Sequence, residues 1–232
     1  MKNIFKAIVI LLLSKEAQAV LRKYRPQIIA ITGTVGKTST KDAIYATLSQ
    51  FESVRRSPKS FNSEFGVPLA ILDQTVPAET SNVMAWLKIF VEGLILIFSP
   101  NHYPKWLVLE VGTDKPGDIR ELAKWLHPDI VIVTKLSEVP VHVEAFATKE
   151  DLFEEKGYLV KALKTHGTLI LNADDKDVVA YRNTSPEKVM LFGNSSGTDI
   201  SATDYAVEYE EKKPIGISFN IEGHKVSLKG TL

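Results

Sequence analysis

The run Gln27-Ile28-Ile29-Ala30-Ile31-Thr32 passes without a break into Gly33-Thr34-Val35-Gly36-Lys37-Thr38-Ser39. Its first half is short and β-branched, the pattern of a buried strand. The glycines after it allow backbone conformations that other residues adopt only at a cost. A helix is predicted from about Lys37 to Phe51, so the segment is a strand, a tight loop and a helix. That junction commits the chain to packing a sheet against helices.

The rest of the sequence repeats the alternation. Trp106-Leu107-Val108-Leu109-Glu110-Val111 reads as a second buried strand, followed by Gly112 and a Pro116-Gly117 turn. A helix from about Ile119 to Leu126 leads past Pro128 to the strand Ile130-Val131-Ile132-Val133-Thr134. A polar helix covers roughly Lys149 to Leu163, and Thr168 to Leu171 is another strand. The expected fold is α/β: a doubly wound, mostly parallel sheet. From Ile200 the pattern changes to alternation of apolar and polar residues over Tyr205 to Tyr209, Ile215 to Ile221 and Lys225 to Leu228. With Glu222-Gly223 as a tight turn, this predicts a small C-terminal antiparallel β-sheet packed on the core. The predicted division is an apolar helix over 1–26, an α/β core over 27–199 and a β subdomain of the same domain over 200–232.

Composition narrows the chemistry. The 232 residues are 44% hydrophobic and carry 28 Lys+Arg against 28 Asp+Glu, with no cysteine. Disordered, collagen-like and disulfide-stapled classes are excluded, as are thiol catalysis and Cys-ligated metal. A neutral chain shows no electrostatic footprint for nucleic acid, so a ligand must be held by a local site.

Two apolar segments stand apart. Ile4 to Leu13 is apolar except for Lys6, and Ala17-Gln18-Ala19 resembles an export cleavage site. Lys15 and Glu16 beside that point argue against export, and the run falls short of the roughly 20 residues that span a bilayer. A packed or membrane-surface helix is the preferred reading, with a signal or anchor as the alternative. Trp86 to Phe98 is also almost wholly apolar; it reads as a buried helix, with a partner-binding or membrane-surface helix as the alternative.

The loop carries the chemistry. In the pattern G-x-x-G-K-T after a strand and before a helix, backbone N–H groups turn inward around phosphate oxygens and the helix N-terminus adds positive charge. Gly33, Thr34, Val35, Gly36, Lys37, Thr38 and Ser39 are the candidate phosphate cradle. Lys37 is placed to reach the β- and γ-phosphates and the Thr38 hydroxyl to ligate Mg²⁺. Ile31 stands where the longer P-loop pattern has its first glycine. Glu110, ending a neighbouring strand, is the candidate acidic metal ligand; a solvent-facing carboxylate is the ordinary alternative.

With these residues in place, the sequence resembles the central, ATP-binding domain of the Mur ligases, and most closely the branch that adds D-alanyl-D-alanine to a UDP-muramoyl tripeptide. Phe61-Asn62-Ser63-Glu64-Phe65-Gly66-Val67-Pro68-Leu69 is similar to that branch's N-N-E-x-G-V-P-L. Glu110 to Ile119 is similar to E-x-G-x-x-x-x-G-[DE]-I, His142-Val143-Glu144-Ala145-Phe146 to H-L-E-x-F, and Leu171-Asn172-Ala173-Asp174-Asp175 to the adenine-side N-A-D.

The resemblance implies an ATP-dependent amide-forming ligase of peptidoglycan precursor synthesis, working through an acyl phosphate. It implies ATP and two Mg²⁺ as cofactors, one metal on Thr38 and Glu110, the second on His142 and Lys156. Lys156 matches the family's carbamylated lysine, and a carbamate turns a cation into an oxygen ligand suited to a hard metal. Lys37, Lys156 and His142 are thus the implied catalytic residues, and Asn62 and Asn172 join the nucleotide-binding set, with Asn172 at the adenine.

Ordinary readings stand beside these roles. His142 can be structural, Lys156 can lie on a solvated helix face, and Asn172 to Asp175 can turn the chain and cap a helix. Thr134-Lys135 departs from the family's Thr-Asn, and the UDP-sugar-binding and amine-binding lobes are not matched. The chain by itself is therefore expected to bind ATP weakly and to ligate nothing, with a C-terminal lobe supplied in cis or trans. The implied substrate is a carboxylate, a UDP-muramoyl peptide. The implied location is cytoplasmic, at the inner face of the membrane if an apolar helix attaches there. A ligase acting on polyglutamate, cyanophycin or a lipid-linked precursor, and a non-catalytic ATP-binding partner module, are the alternatives.

Overall fold

The computed structural model describes residues 2–58, 65–136, 146–185, 187–194 and 197–230. The elements in chain order are α1 (Lys2–Tyr24), β1 (Gln27–Thr32), α2 (Lys37–Leu48), β2 (Val54–Arg56), α3 (Gly66–Leu72) and α4 (Val83–Phe98). They continue with β3 (Trp106–Glu110), α5 (Asp118–Ala123), β4 (Ile130–Val133), α6 (Lys149–Lys161), β5 (Thr168–Asn172) and α7 (Lys176–Ala180). A 3-10 turn over Tyr181–Thr184 precedes β6 (Lys188–Gly193), β7 (Ile200–Glu210), β8 (Lys213–Ile221) and β9 (His224–Lys229).

The nine strands among the described residues form one sheet in the order β2-β3-β1-β4-β5-β6-β7-β8-β9. The pairs from β2 to the start of β7 are parallel, and β7-β8-β9 is an antiparallel meander. β1 is flanked by β3 and β4, so the chain reverses its direction of winding at the carboxyl end of β1. In open α/β sheets that switch point is where ligands bind.

Period-two alternation assigns each strand residue to a face. Ile28, Ala30, Leu107, Leu109, Val131, Val133, Leu169 and Leu171 belong to the large core shared with α1 and α3 to α7. Ile29, Ile31, Val108 and Ile132 form the smaller core on the other face, closed by Ile44 and Leu48 of α2.

α1 is part of this body. Val9, Leu13, Ala17 and Val20, spaced by four, four and three residues, are buried where α1 packs on α3 and α4. Among the described residues no helix is long and apolar enough to cross a membrane. α4 corrects the buried-helix expectation. Only Trp86, Ile89 and Gly93 are buried, while Met84, Leu87, Val91, Leu94, Ile95 and Phe98 stand exposed along its outer side.

The tail also differs in arrangement. β7 starts at Ile200 rather than Tyr205, and its first residues pair with β6 as Phe192↔Ile200 and Gly193↔Ser201. The meander therefore extends the edge of the parallel sheet instead of stacking on it. β2, β6 and α3 have no counterpart in the sequence reading, whereas α7 is the helix that the turn-and-cap reading of Asn172 to Asp175 anticipates. β2 has three residues, too few for periodicity to show.

Candidate nucleotide-binding site

The glycine loop hangs from the end of β1 and is fastened to the end of β4. Thr34 N donates to Lys135 O at 2.6 Å, and Thr134 Oγ1 donates to Val35 O at 2.7 Å. Gly33 has φ 138°, and a Cβ there would lie 2.1 Å from Thr134 Oγ1, so no side chain fits. Gly36, at φ 87°, is the left-handed N-cap residue of α2. Lys135 meets the loop through its backbone C=O, a contact that does not use its side chain.

Side chains from α2 and from the end of β3 meet at this loop. Thr38, on the first turn of α2, places Oγ1 at 3.0 and 3.1 Å from the two carboxylate oxygens of Glu110 at the end of β3. Glu110 is 1% exposed, which overturns the solvent-facing alternative. Its backbone N–H donates to Ser57 Oγ at 3.1 Å. Lys37 Nζ donates to Thr34 O at 3.2 Å, and burial holds its pKa below the usual lysine range, offset by the Glu110 charge. Ser39 is exposed on the same turn.

Lys156 reaches the loop from α6. Its Nζ donates to Gly33 O at 3.1 Å, and the residue is 3% exposed, so the solvated-face reading fails. Burial, with repulsion from Lys37 second and attraction to Glu155 opposing, lowers its pKa to about 7. Glu155 beside it is a residue that the motif comparison left without a role. Its carboxylate accepts the backbone N–H groups of Gly117, Ile119 and Arg120 at 2.9, 2.6 and 3.1 Å, capping α5 from a distance. An acidic pair in a helix carries no signal for such a contact.

At the end of β5, Asn172 Oδ1 accepts the N–H of Asp174 at 3.0 Å, and Asp175 caps α7 through Asp177 N and Val178 N. The turn-and-cap reading of this segment describes these contacts. Asp175 Oδ2 also accepts Leu136 N at 2.8 Å, tying β5 to the exit of β4. Asn62 and His142, with the second metal position assigned to His142, lie outside the described residues.

The donor set suits a hard divalent cation. Thr38 and Glu110 offer hydroxyl and carboxylate oxygens at the mouth of an N–H-rich loop, the ligand type Mg²⁺ takes alongside phosphate and water. The buried Thr34 Oγ1 has no hydrogen-bond partner among the described residues, a polar atom within the loop that a phosphate oxygen can satisfy. Among those residues no group of three or more His, Cys, Asp or Glu forms a cage.

Comparison with known proteins finds relatives over most of the chain. The chain is 26% identical over 211 residues to the UDP-N-acetylmuramoyl-tripeptide--D-alanyl-D-alanine ligase of Bacillus subtilis, covering 91% of this chain and 38% of that protein. The Mycobacterium leprae enzyme of the same name is 30% identical over 169 residues, 73% of this chain and 27% of that one. The crystal structure of the MurF ligase from Thermotoga maritima in complex with ADP superposes with a TM-score of 0.71 at 25% identity, over 96% of this chain and 45% of that chain. A MurF structure from Acinetobacter baumannii gives 0.71 at 19% identity, over 94% of this chain and 42% of that one. The chain thus spans less than half the length of each of these relatives. The family model of the Mur ligase middle domain matches residues 94–231, more than half of the sequence, and the chain belongs to that family.

Proposed function

We propose that the chain is the ATP-binding domain of an amide-forming ligase of peptidoglycan precursor synthesis. The observation that carries this is the contact between Thr38 and Glu110 at the mouth of the glycine loop, within a Mur ligase fold. The backbone from Gly33 to Ser39 surrounds the phosphates, and Lys37 leaves the Thr34 carbonyl to meet the β- and γ-phosphates. Thr38 and Glu110 would hold one Mg²⁺, whose chemistry there would be to neutralise charge on the phosphoryl group. Lys156, as a carbamate, and His142 would hold a second, and Asn62 and Asn172 would serve the nucleotide.

In the proposed reaction a carboxylate oxygen of the UDP-muramoyl peptide attacks the γ-phosphorus, the bond to the β-phosphate oxygen breaks, and ADP leaves. The amine of D-Ala-D-Ala then attacks the acyl carbon, and phosphate departs from the tetrahedral adduct. Catalysis on this scheme is positioning and electrostatics. Titration calorimetry with ADP and Mg²⁺ tests the nucleotide site: Lys37→Ala should weaken binding at least about tenfold. A folded Lys37→Ala variant that binds ADP like the parent overturns the proposal. ADP release from ATP on adding a UDP-muramoyl tripeptide, compared with a polyglutamate, separates the substrate classes.

A second feature supports attachment to the cytoplasmic face of a membrane. α1 and α4 lie side by side on one face of the sheet, and each turns exposed aliphatic side chains outward: Ile4, Ile8, Leu11 and Leu12 on α1, and the stripe from Met84 to Phe98 on α4. Among the described side chains, the exposed charges of α1 are Lys6, Lys15, Arg22 and Lys23, all cationic. An apolar face with a cationic border matches an anionic bilayer surface. The chain should cosediment with phosphatidylglycerol vesicles and not with phosphatidylcholine vesicles. Loss of that preference in Leu94→Ser/Phe98→Ser would support the attachment, and equal binding by parent and variant would remove it.

A further inference from the structure

Lys41 lies on α2 one turn beyond Lys37 and is 2% exposed. Its ammonium is 3.6 Å from Glu110 Oε2 and 3.5 Å from Asp42 Oδ1. Asp42 in turn takes Arg56 Nη1 at 2.7 Å, and Arg56 lies over the Tyr45 ring at 4.4 Å. A line of alternating charge thus runs from the metal-facing carboxylate to the surface. Burying a lysine here is costly unless the pairing serves something, because an apolar side chain of similar size would pack at lower cost.

The consequence falls on Glu110. The Thr38 hydroxyl spans both of its oxygens, whereas the Lys41 ammonium pairs with Oε2. We propose that Lys41 is a positioning residue that reserves Glu110 Oε2, so that the carboxylate offers a single oxygen, Oε1, to a divalent cation shared with Thr38. One carboxylate oxygen suits the small octahedral shell of Mg²⁺, while Ca²⁺ readily takes a carboxylate through both oxygens. Lys41 therefore biases the site toward the smaller ion. This inference rests on the nucleotide reading above.

The test is calorimetric titration of the full chain with ADP in Mg²⁺, in Ca²⁺ and without metal, with circular dichroism melting to confirm folding. The parent should bind ADP at least about tenfold more tightly with Mg²⁺ than with Ca²⁺. In Lys41→Met that ratio should fall to about threefold or less, chiefly through a gain with Ca²⁺. Lys41→Arg is the second variant, because its fork engages both carboxylate oxygens. It should lose Mg²⁺-dependent binding while keeping metal-free ADP binding. A folded Lys41→Met with the parental ratio, or a folded Lys41→Arg with parental Mg²⁺ dependence, overturns the role of Lys41. Absence of ADP binding by the parent overturns the nucleotide reading instead, which distinguishes the two failures.

Discussion

Glu155 Oε1 accepts the backbone N–H of Ile119 at 2.6 Å, although the two residues lie on different helices and 36 positions apart. With Gly117 and Arg120 also bound, one buried carboxylate satisfies the start of α5 and fixes α6 against it. The same stretch of α6 presents Lys156 to the glycine loop. Glu155→Ala should therefore cost about 2–4 kcal/mol, since it strands buried N–H groups at a helix start. Urea denaturation measures it, with the exposed Glu150→Ala as a control expected within about 0.5 kcal/mol of the parent.

Gly33→Ala and Gly36→Ala separate two uses of glycine. At Gly36 the nearest atom to an added Cβ is 3.8 Å away, so alanine meets only the positive-φ penalty, about 1 kcal/mol. At Gly33 it collides with Thr134 Oγ1, and the loop must leave β4. Gly33→Ala should lose ADP binding, whereas Gly36→Ala should fold and bind more weakly. Equal behaviour of the two variants in melting and calorimetry would count against the fastening of the loop to β4.

Glu16 contributes a pH dependence from the α1–α4 contact. Its carboxylate faces Gly93, its Oε2 has no hydrogen-bond partner among the described residues, and burial raises its pKa from 4.5 to about 7. Between those values the folded protein binds more protons than the unfolded chain, so this group's stabilising contribution is lost as pH rises toward 7 and beyond. Glu16→Gln should therefore stabilise the protein by about 1 kcal/mol at pH 8, after allowance for partial exposure, and by much less at pH 4. Chemical denaturation at the two pH values reads the difference.

Lys156 titrates in the opposite sense. With its folded pKa lowered to about 7, the unfolded chain holds the extra proton from there up to the ordinary lysine value near 10.5. Stability should rise with pH across that window, and Lys156→Met should remove the rise. A neutral amine at pH 8 is also the form that reacts with CO₂. In ¹³C-bicarbonate at that pH, NMR should show one carbamate resonance that Lys156→Met abolishes; persistence of the signal would place the modification elsewhere.

Much of this architecture was legible because it rests on local pattern. Ile28 to Ile31 and Val131 to Val133 are buried β-branched runs, and Gly33 and Gly36 punctuate a strand-to-helix turn, so the sheet and its loop could be read directly. The partners of Glu155 and Lys41 could not. Both are charged residues on helices, and their burial depends on elements distant in sequence. α4 misled for a related reason: an apolar helix need not bury every side, and its composition does not say which side the sheet covers.

The join between β6 and β7 bears on which strands depend on one another. Two residue pairs there connect the parallel strands to an antiparallel meander with far longer ladders. The line through Phe192 and Ile200 is thus where the parallel strands that bear the glycine loop give way to an outrigger held by its own ladders.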